Sequence, residues 1–196
     1  MIKKVLISDV VHESLMPMLN EIGYLADYRP DIKRDEILQV LHEYTGIVVR
    51  SKTPIDRELL DAGKQLLFVA RSGAGLDQID LDHAKNRGIH IINAPEGNRD
   101  AVAEHTIGMI LSILNKLHTG DQEVRNGIWD REGNRGYELG NMCVGIIGCG
   151  FMGQALAKRL PAFGCRVLGY DKYKTGYGSA NLQECDLEQI FEEADL

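Results

Sequence analysis

No stretch of this 196-residue chain holds the roughly 18 consecutive apolar residues of a membrane span, and Lys3-Lys4 is followed by an apolar run too short for a signal peptide with its cleavage site. Positive charge is scarce as well. Lys and Arg number 22 against 29 Asp and Glu, a net charge of -7, the wrong sign for a surface that tracks a nucleic-acid backbone. The four cysteines, Cys143, Cys149, Cys165 and Cys185, show neither paired metal-ligand spacing nor the framework of a secreted disulfide domain. The six histidines lack H-E-x-x-H or comparable spacing. The expectation is a cytoplasmic protein with reduced thiols, no metal site, no membrane and no nucleic-acid partner. At 44% hydrophobic and 26% charged residues the chain matches a globular protein, which excludes disorder and fibrous classes. Its length allows one full domain or two small or incomplete ones.

What the chain has in excess is glycine, 21 of 196 residues, above the usual share of about 7%. Such an excess suggests tight turns or close approach of the backbone to a ligand. Short apolar runs at Lys4 to Ser8, Tyr24 to Tyr28, Ile47 to Arg50, Leu67 to Ala70 and Ile89 to Ile92 read as strands. Between them lie helix-period segments such as Asp35 to Tyr44, where Ile37, Val40, Leu41 and Tyr44 share a face. This βα alternation predicts an open, parallel, doubly wound sheet with ligands beyond the carboxyl ends of its strands. Asp100 is expected to cap a long helix running to about Leu117, apolar nearly all round and therefore buried between domains or subunits. Gly120 to Gly140, which includes the single tryptophan, Trp129, reads as a connector. A second βαβ unit is expected as a strand from Cys143 to Ile147, a glycine turn, a helix from Gln154 to Phe163 and a strand from Arg166 to Tyr170. Leu187 to Glu193 could form one further helix. One βαβ unit with a trailing helix leaves apolar faces uncovered, so a truncated chain is expected.

Gly148-Cys149-Gly150-Phe151-Met152-Gly153 stands between the predicted strand and helix. Gly148 would make the tight turn, Gly150 would let the backbone approach a pyrophosphate, and Gly153 would let helix and strand pack closely. The helix N-terminus would then offer its unpaired amides to phosphates. Asp171, at the end of the next strand, is placed to accept hydrogen bonds from adenosine ribose hydroxyls and to repel a 2′-phosphate, which favours NAD over NADP. Lys172 and Lys174 could reach a phosphate, but solvated surface lysines are the simpler reading.

Arg71-Ser72-Gly73-Ala74-Gly75-Leu76-Asp77 follows the fourth strand, where small residues would expose successive amides to a carboxylate. A plain strand-to-helix turn fits the same residues. Arg50-Ser51-Lys52-Thr53 ends the third strand on the same edge, so Arg50 and Arg71 could converge on one anion. Pro95-Glu96-Gly97-Asn98 would complete the rim. His105 beside Glu104 is not a catalytic dyad, because adjacent helical residues point about 100° apart.

Taken together, the run Arg71 to Asp80, the segment Asn93 to Asn98 with Ala101-Val102-Ala103-Glu104, and Val144 to Gly148 resemble the D-2-hydroxyacid dehydrogenase family, most closely its phosphoglycerate branch. The resemblance implies a flavodoxin-like parallel-sheet substrate domain over about 1–99, followed from 100 by the first part of a Rossmann NAD-binding domain. It implies NAD as cofactor, a small 2-hydroxy acid as substrate and a homodimer. Ser72, Gly73, Ala74 and Gly75 match the loop whose amides hold the substrate carboxylate. Arg50 and Arg71, with Arg131 as a third, match the arginines of the phosphoglycerate branch, and Ser51 and Asn98 join the substrate set. The cofactor set is Ala74, Val102, Gly148, Gly150, Phe151, Met152, Gly153 and Asp171; at Phe151 an arginine is more usual. The family's catalytic arginine, glutamate and histidine match nothing before Leu196, so no catalytic residue is assigned and the 196 residues alone are expected to be inactive. Alternatives within the resemblance are a glycerate or hydroxypyruvate enzyme and a non-catalytic NAD-sensing corepressor-like protein.

Overall fold

Apolar residues on both faces of four- and five-residue strands require a sheet covered on each side. The computed structural model describes residues 3–196 and divides into two compact units, Met1–Gly97 and Asn98–Leu196. In the first unit β1 (Lys3–Ile7), α1 (Leu15–Glu21), β2 (Tyr24–Tyr28), α2 (Arg34–Val40), β3 (Gly46–Val49), α3 (Arg57–Ala62), β4 (Phe68–Arg71), α4 (Leu81–Asn86) and β5 (His90–Asn93) alternate along the chain. The strands form one sheet of order β2-β1-β3-β4-β5, parallel throughout. This is the flavodoxin-like order.

Successive side chains of a strand point to opposite faces, and the core divides accordingly. Leu6, Ile47, Val49 and Val69 join Ile37, Leu41, Leu59, Leu60 and Ala84 from α2, α3, α4 and the turn after α2. Val5, Ile7 and Val48 pack with Leu19 of α1 on the other face, where Tyr24 and Phe68 meet edge to face at 5.7 Å. Each fully buried Leu or Ile contributes about 1.5–3 kcal/mol, so these layers outweigh the exposed ion pairs around them. Helix starts are fixed by short acidic side chains: Asp56 accepts from the Leu59 amide and Asp80 from the His83 amide. The Asp35 to Tyr44 helix is shorter than expected, turning into a 3₁₀ segment at Leu41–Glu43 while Ile37, Leu41 and Tyr44 stay buried.

The second unit contains α5 (Arg99–Leu114), α6 (Leu117–Arg125), β6 (Cys143–Ile147), α7 (Phe151–Arg159), β7 (Arg166–Tyr170), β8 (Gln183–Glu184) and α8 (Leu187–Glu193). Its parallel sheet has the order β6-β7-β8. On the free edge of β6 the Leu196 amide donates to Cys143 O and Leu196 O accepts from the Gly145 amide, the reciprocal pattern of parallel pairing. The edge of β6 away from β7 thus carries the last residue of the chain. Val144, Ile146 and Val167 pack with α5 and α7 residues, including Leu114 and Ala157, while Cys143 and Leu168 pack with Ile190 of α8.

Four expectations need correction here. Asn98, not Asp100, occupies the cap of α5, because the Asp100 carboxylate is drawn to Arg159 at 2.9 Å. The helix does not run to Leu117: Lys116 takes a left-handed φ of 48°, which separates α5 from α6 and makes the first part of the expected connector helical. Nor is α5 buried all round, since Ile107, Ile110, Leu111 and Leu114 pack inward while Met109 is 48% and Ile113 72% exposed. The next helix starts at Phe151 rather than Gln154 and ends at Arg159, where Pro161 near the start of a 3₁₀ turn lacks the amide that would continue it. No helix among the described residues is long and apolar enough to cross a membrane.

Gly153 lies where α7 crosses the strand end. A Cβ there would collide with Gly148 O and stand 3.1 Å from Ile146 Cγ2. Gly153→Ala is expected to destabilise the protein by about 1–3 kcal/mol, the ordinary cost of overpacking. Urea unfolding checks this, and an unchanged midpoint would contradict the packing described.

Candidate functional site

In the first unit parallel register brings the strand ends level. Val49 pairs with Arg71 and Arg71 with Asn93, so the segments starting at Arg50, Ser72 and Ala94 leave the sheet at one height. Between the first two lies a cavity of about 140 Å³ lined by Arg50, Ser51, Thr53, Arg71, Gly75 and Asp77, among others. Arg50 is positioned from below, its amide donating to Oδ2 of the buried Asp9 at 2.7 Å. The Arg71 guanidinium folds over Gly73, where a Cβ would collide with it. The two arginines thus face one cavity, and Asp77 sets a carboxylate on its rim.

Not every amide of the glycine loop is free. Ser72 donates to Val49 O at 2.8 Å and Gly73 to Arg71 O at 2.8 Å. Gly73 O in turn accepts from the Ala94 amide and Ala74 O from the Asn93 side chain. The amides of Ala74 and Gly75 have no acceptor among the described residues. The expected row of four donors therefore shrinks to these two, because the others close the turn. Asp9 and Asp77 escaped the sequence reading; an Asp directly after an apolar strand, as at Ser8-Asp9, is the signal for the first.

In the second unit Ile147 pairs with Tyr170, which sets Gly148 and Asp171 side by side at the carboxyl edge. Gly148 turns with a φ of 101°, a conformation natural to glycine. Asp171 Oδ2 accepts from the Cys149 amide at 2.9 Å, and Oδ1 from the amides of Tyr173 and Lys174 at 2.9 and 3.1 Å. These bonds hold the Asp171 carboxyl below its ordinary range. Because the folded form holds the proton more weakly, the clamp is intact at neutral pH and loosens only as pH falls through that depressed value. Burial, reinforced by the Asp171 charge, pushes the Cys149 thiol up to about 11, so it stays protonated inside the loop.

Gly150 differs from Gly153. A Cβ at Gly150 would meet no protein atom closer than Lys174 Nζ at 4.0 Å, so internal packing does not demand glycine there; the open side is where a ligand can approach. The amides of Phe151, Met152 and Gly153 form the first turn of α7 and have no intrahelical acceptor. A cavity of about 370 Å³ adjoins them, lined by Gly150, Phe151, Arg99, Lys158, Arg159 and Lys174 among others. The residues therefore fit a pyrophosphate. Asn98 and Val102 lie at the cap and first turn of α5, while Arg131 is exposed and lines neither cavity. Glu104 turns toward Arg159 at 3.7 Å, away from any pairing with His105. Among the described residues no group of three His, Cys, Asp or Glu side chains could hold a metal.

A parallel α/β unit with arginines at its strand ends is followed by a βαβ unit with a glycine turn between strand and helix, the arrangement that also occurs in dinucleotide-binding folds. Residues 5–191 match the family described as D-isomer specific 2-hydroxyacid dehydrogenase, catalytic domain, and the chain belongs to that family. It is 36% identical over 170 residues to a D-3-phosphoglycerate dehydrogenase of Archaeoglobus fulgidus, covering 87% of this chain and 32% of that protein. It is 34% identical to a hydroxypyruvate reductase of Thermotoga maritima, over 84% of this chain and 54% of that one. A crystal structure of a Pyrococcus horikoshii OT3 protein superposes on all of this chain and 61% of its own, with a TM-score of 0.84 and 27% identity. The chain thus spans about a third of the length of the phosphoglycerate dehydrogenase it matches.

Gly150→Ala is expected to keep stability within about 1 kcal/mol, the scale of a changed helix cap. It should weaken dinucleotide binding by about tenfold or more, as a methyl group enters the space of the ligand. Paired urea and calorimetric titrations check both, and intact affinity would contradict the assignment of that open side.

Proposed function

We propose that this protein is an NAD-dependent dehydrogenase that oxidises the C2 hydroxyl of a small D-2-hydroxy acid, with 3-phosphoglycerate as its substrate and 3-phosphohydroxypyruvate as product, a step of serine biosynthesis. Residues 1–99 would belong to a substrate domain and residues 100–196 to an NAD-binding domain. The observation that carries this reading is the cavity shared by Arg50 and Arg71 beside the free amides of Ala74 and Gly75. Two guanidinium forks suit a phosphate, and two adjacent amides suit a carboxylate. Ser51 adds a hydroxyl donor on the cavity wall.

When bound, NAD supplies the hydride acceptor. Gly148 to Gly153 would hold its pyrophosphate and Asp171 its adenosine ribose. Asp171 already accepts three amides but retains acceptor capacity for a ribose hydroxyl, and its charge disfavours a 2′-phosphate. Among the described residues His83 pairs with a carboxylate, Asp61 at 2.8 Å, but it lines neither cavity. These 196 residues by themselves are therefore proposed to bind without turning over. The exposed Ile113, Leu117, Val124, Ile128 and Trp129 along and after α5 and α6 support a homodimer through this unit, and the four free cysteines support a cytoplasmic setting. The similarity to a hydroxypyruvate reductase favours a second reading, a glycerate-type substrate without phosphate.

Arg50→Ala separates the two. It should raise the Kd for 3-phosphoglycerate about ten- to hundredfold, the value of a charged hydrogen bond, and that for glycerate far less; equal effects in calorimetric titration would refute the phosphate role. Asp171→Ala should weaken NADH binding and relax the preference over NADPH. Tighter binding of NADPH than NADH by the unaltered protein would contradict the cofactor assignment.

A further inference from the structure

Most cations of the second unit are already engaged. Arg159 bridges Asp100 and Glu104, Arg125 meets Asp121, Arg135 meets Glu132, and Lys116 donates to Gly133 O. Lys174 has no carboxylate partner among the described residues. Its ammonium instead lies 5.9 Å from the centroid of the Phe151 ring and is the nearest protein atom to the open side of Gly150. It lines the same cavity as the first turn of α7. We propose that Lys174 is the charged donor of the dinucleotide site, reaching the pyrophosphate that the Phe151 and Met152 amides face. The proposal rests on the dinucleotide reading above and replaces the expectation of a merely solvated lysine.

Three observations carry it. Phe151, at the first helical position, brings no charge, and a helix terminus supplies only about half a unit charge against a dianionic pyrophosphate. A side-chain cation beside the loop adds to that half charge, and Lys174 Nζ stands there. Next, the backbone of Lys174 is anchored before any ligand arrives, since its amide donates to the Asp171 carboxylate that also clamps Cys149; the loop and the lysine move as one piece. Finally, the Phe151 ring gives the ammonium a cation–π resting place beside the site, which limits the freedom lost on binding. Lys158 lines the same cavity but lies seven residues along α7, about 10 Å by helical rise, where solvent and salt screen it from the loop.

The test is titration of the protein with ADP and with adenosine, followed by NMR. Lys174→Met should weaken ADP about five- to twentyfold, as expected for loss of a partly exposed charge-assisted hydrogen bond, and leave adenosine within about twofold. Lys174→Arg should keep ADP affinity. Lys158→Met should change neither ligand beyond about twofold, and the Phe151→Arg change added to Lys174→Met should recover part of the lost ADP affinity. Undiminished ADP binding by Lys174→Met, or equal loss of ADP and adenosine, would overturn the assignment while leaving the dinucleotide site standing. An unaltered protein that binds neither ADP nor NADH would sink the dinucleotide reading itself, and the lysine's role with it.

Discussion

Parallel pairing places the carboxyl ends of neighbouring strands on one edge, and both candidate sites depend on the register of that pairing. A one-residue slip would turn every strand side chain to the opposite face, so the two-sided burial of Val5, Leu6 and Ile7 or of Ile47, Val48 and Val49 locks the register. Once locked, Arg71 stands beside Val49 and Asn93, and Tyr170 beside Ile147. The arginines, the glycine turns and Asp171 are then brought to their edges without any contact among themselves having to pull them there. Apolar burial provides the energy, and the polar residues inherit the geometry.

The charges at those edges oppose the charge of the whole. A chain with net charge -7 offers two cavities whose walls are rich in Arg and Lys. Local fields act over roughly 8–10 Å at physiological salt, so an anion entering either cavity meets the cations nearest it rather than the acidic average. Asp171 and Lys174 divide this work at neighbouring positions of one turn. The carboxylate fixes the backbone through the amides of Cys149, Tyr173 and Lys174, while the ammonium stands on the open side of Gly150.

Much of the fold is legible in the sequence because its signals are local. The five strands of the first unit fall within a residue of where the apolar runs place them, and Asp56, Asp80 and Asp186 cap helices as short acidic residues do. The break at Lys116 is not legible, since the apolar pattern runs on to Leu117 and only the backbone shows the left-handed turn. The two-residue strand β8 is too short to carry a period. At the sites, the glycines and Arg50 and Arg71 can be read from spacing. The closing of the Ser72 amide on Val49, the Asp9 support under Arg50 and the placement of Lys174 beside Phe151 arise from contacts between segments tens of residues apart, and no short window of sequence contains them.

The central claim is that the βαβ unit from Cys143 to Tyr170 is a dinucleotide site built at the glycine turn between β6 and α7. Its most direct measurement is the amide NMR spectrum of the protein during titration with NADH. The account predicts saturable shifts concentrated at Gly148, Gly150, Phe151, Met152 and Gly153, with smaller ones at Tyr173 and Lys174. Saturable NADH binding that leaves those amides unmoved and shifts another surface would contradict it.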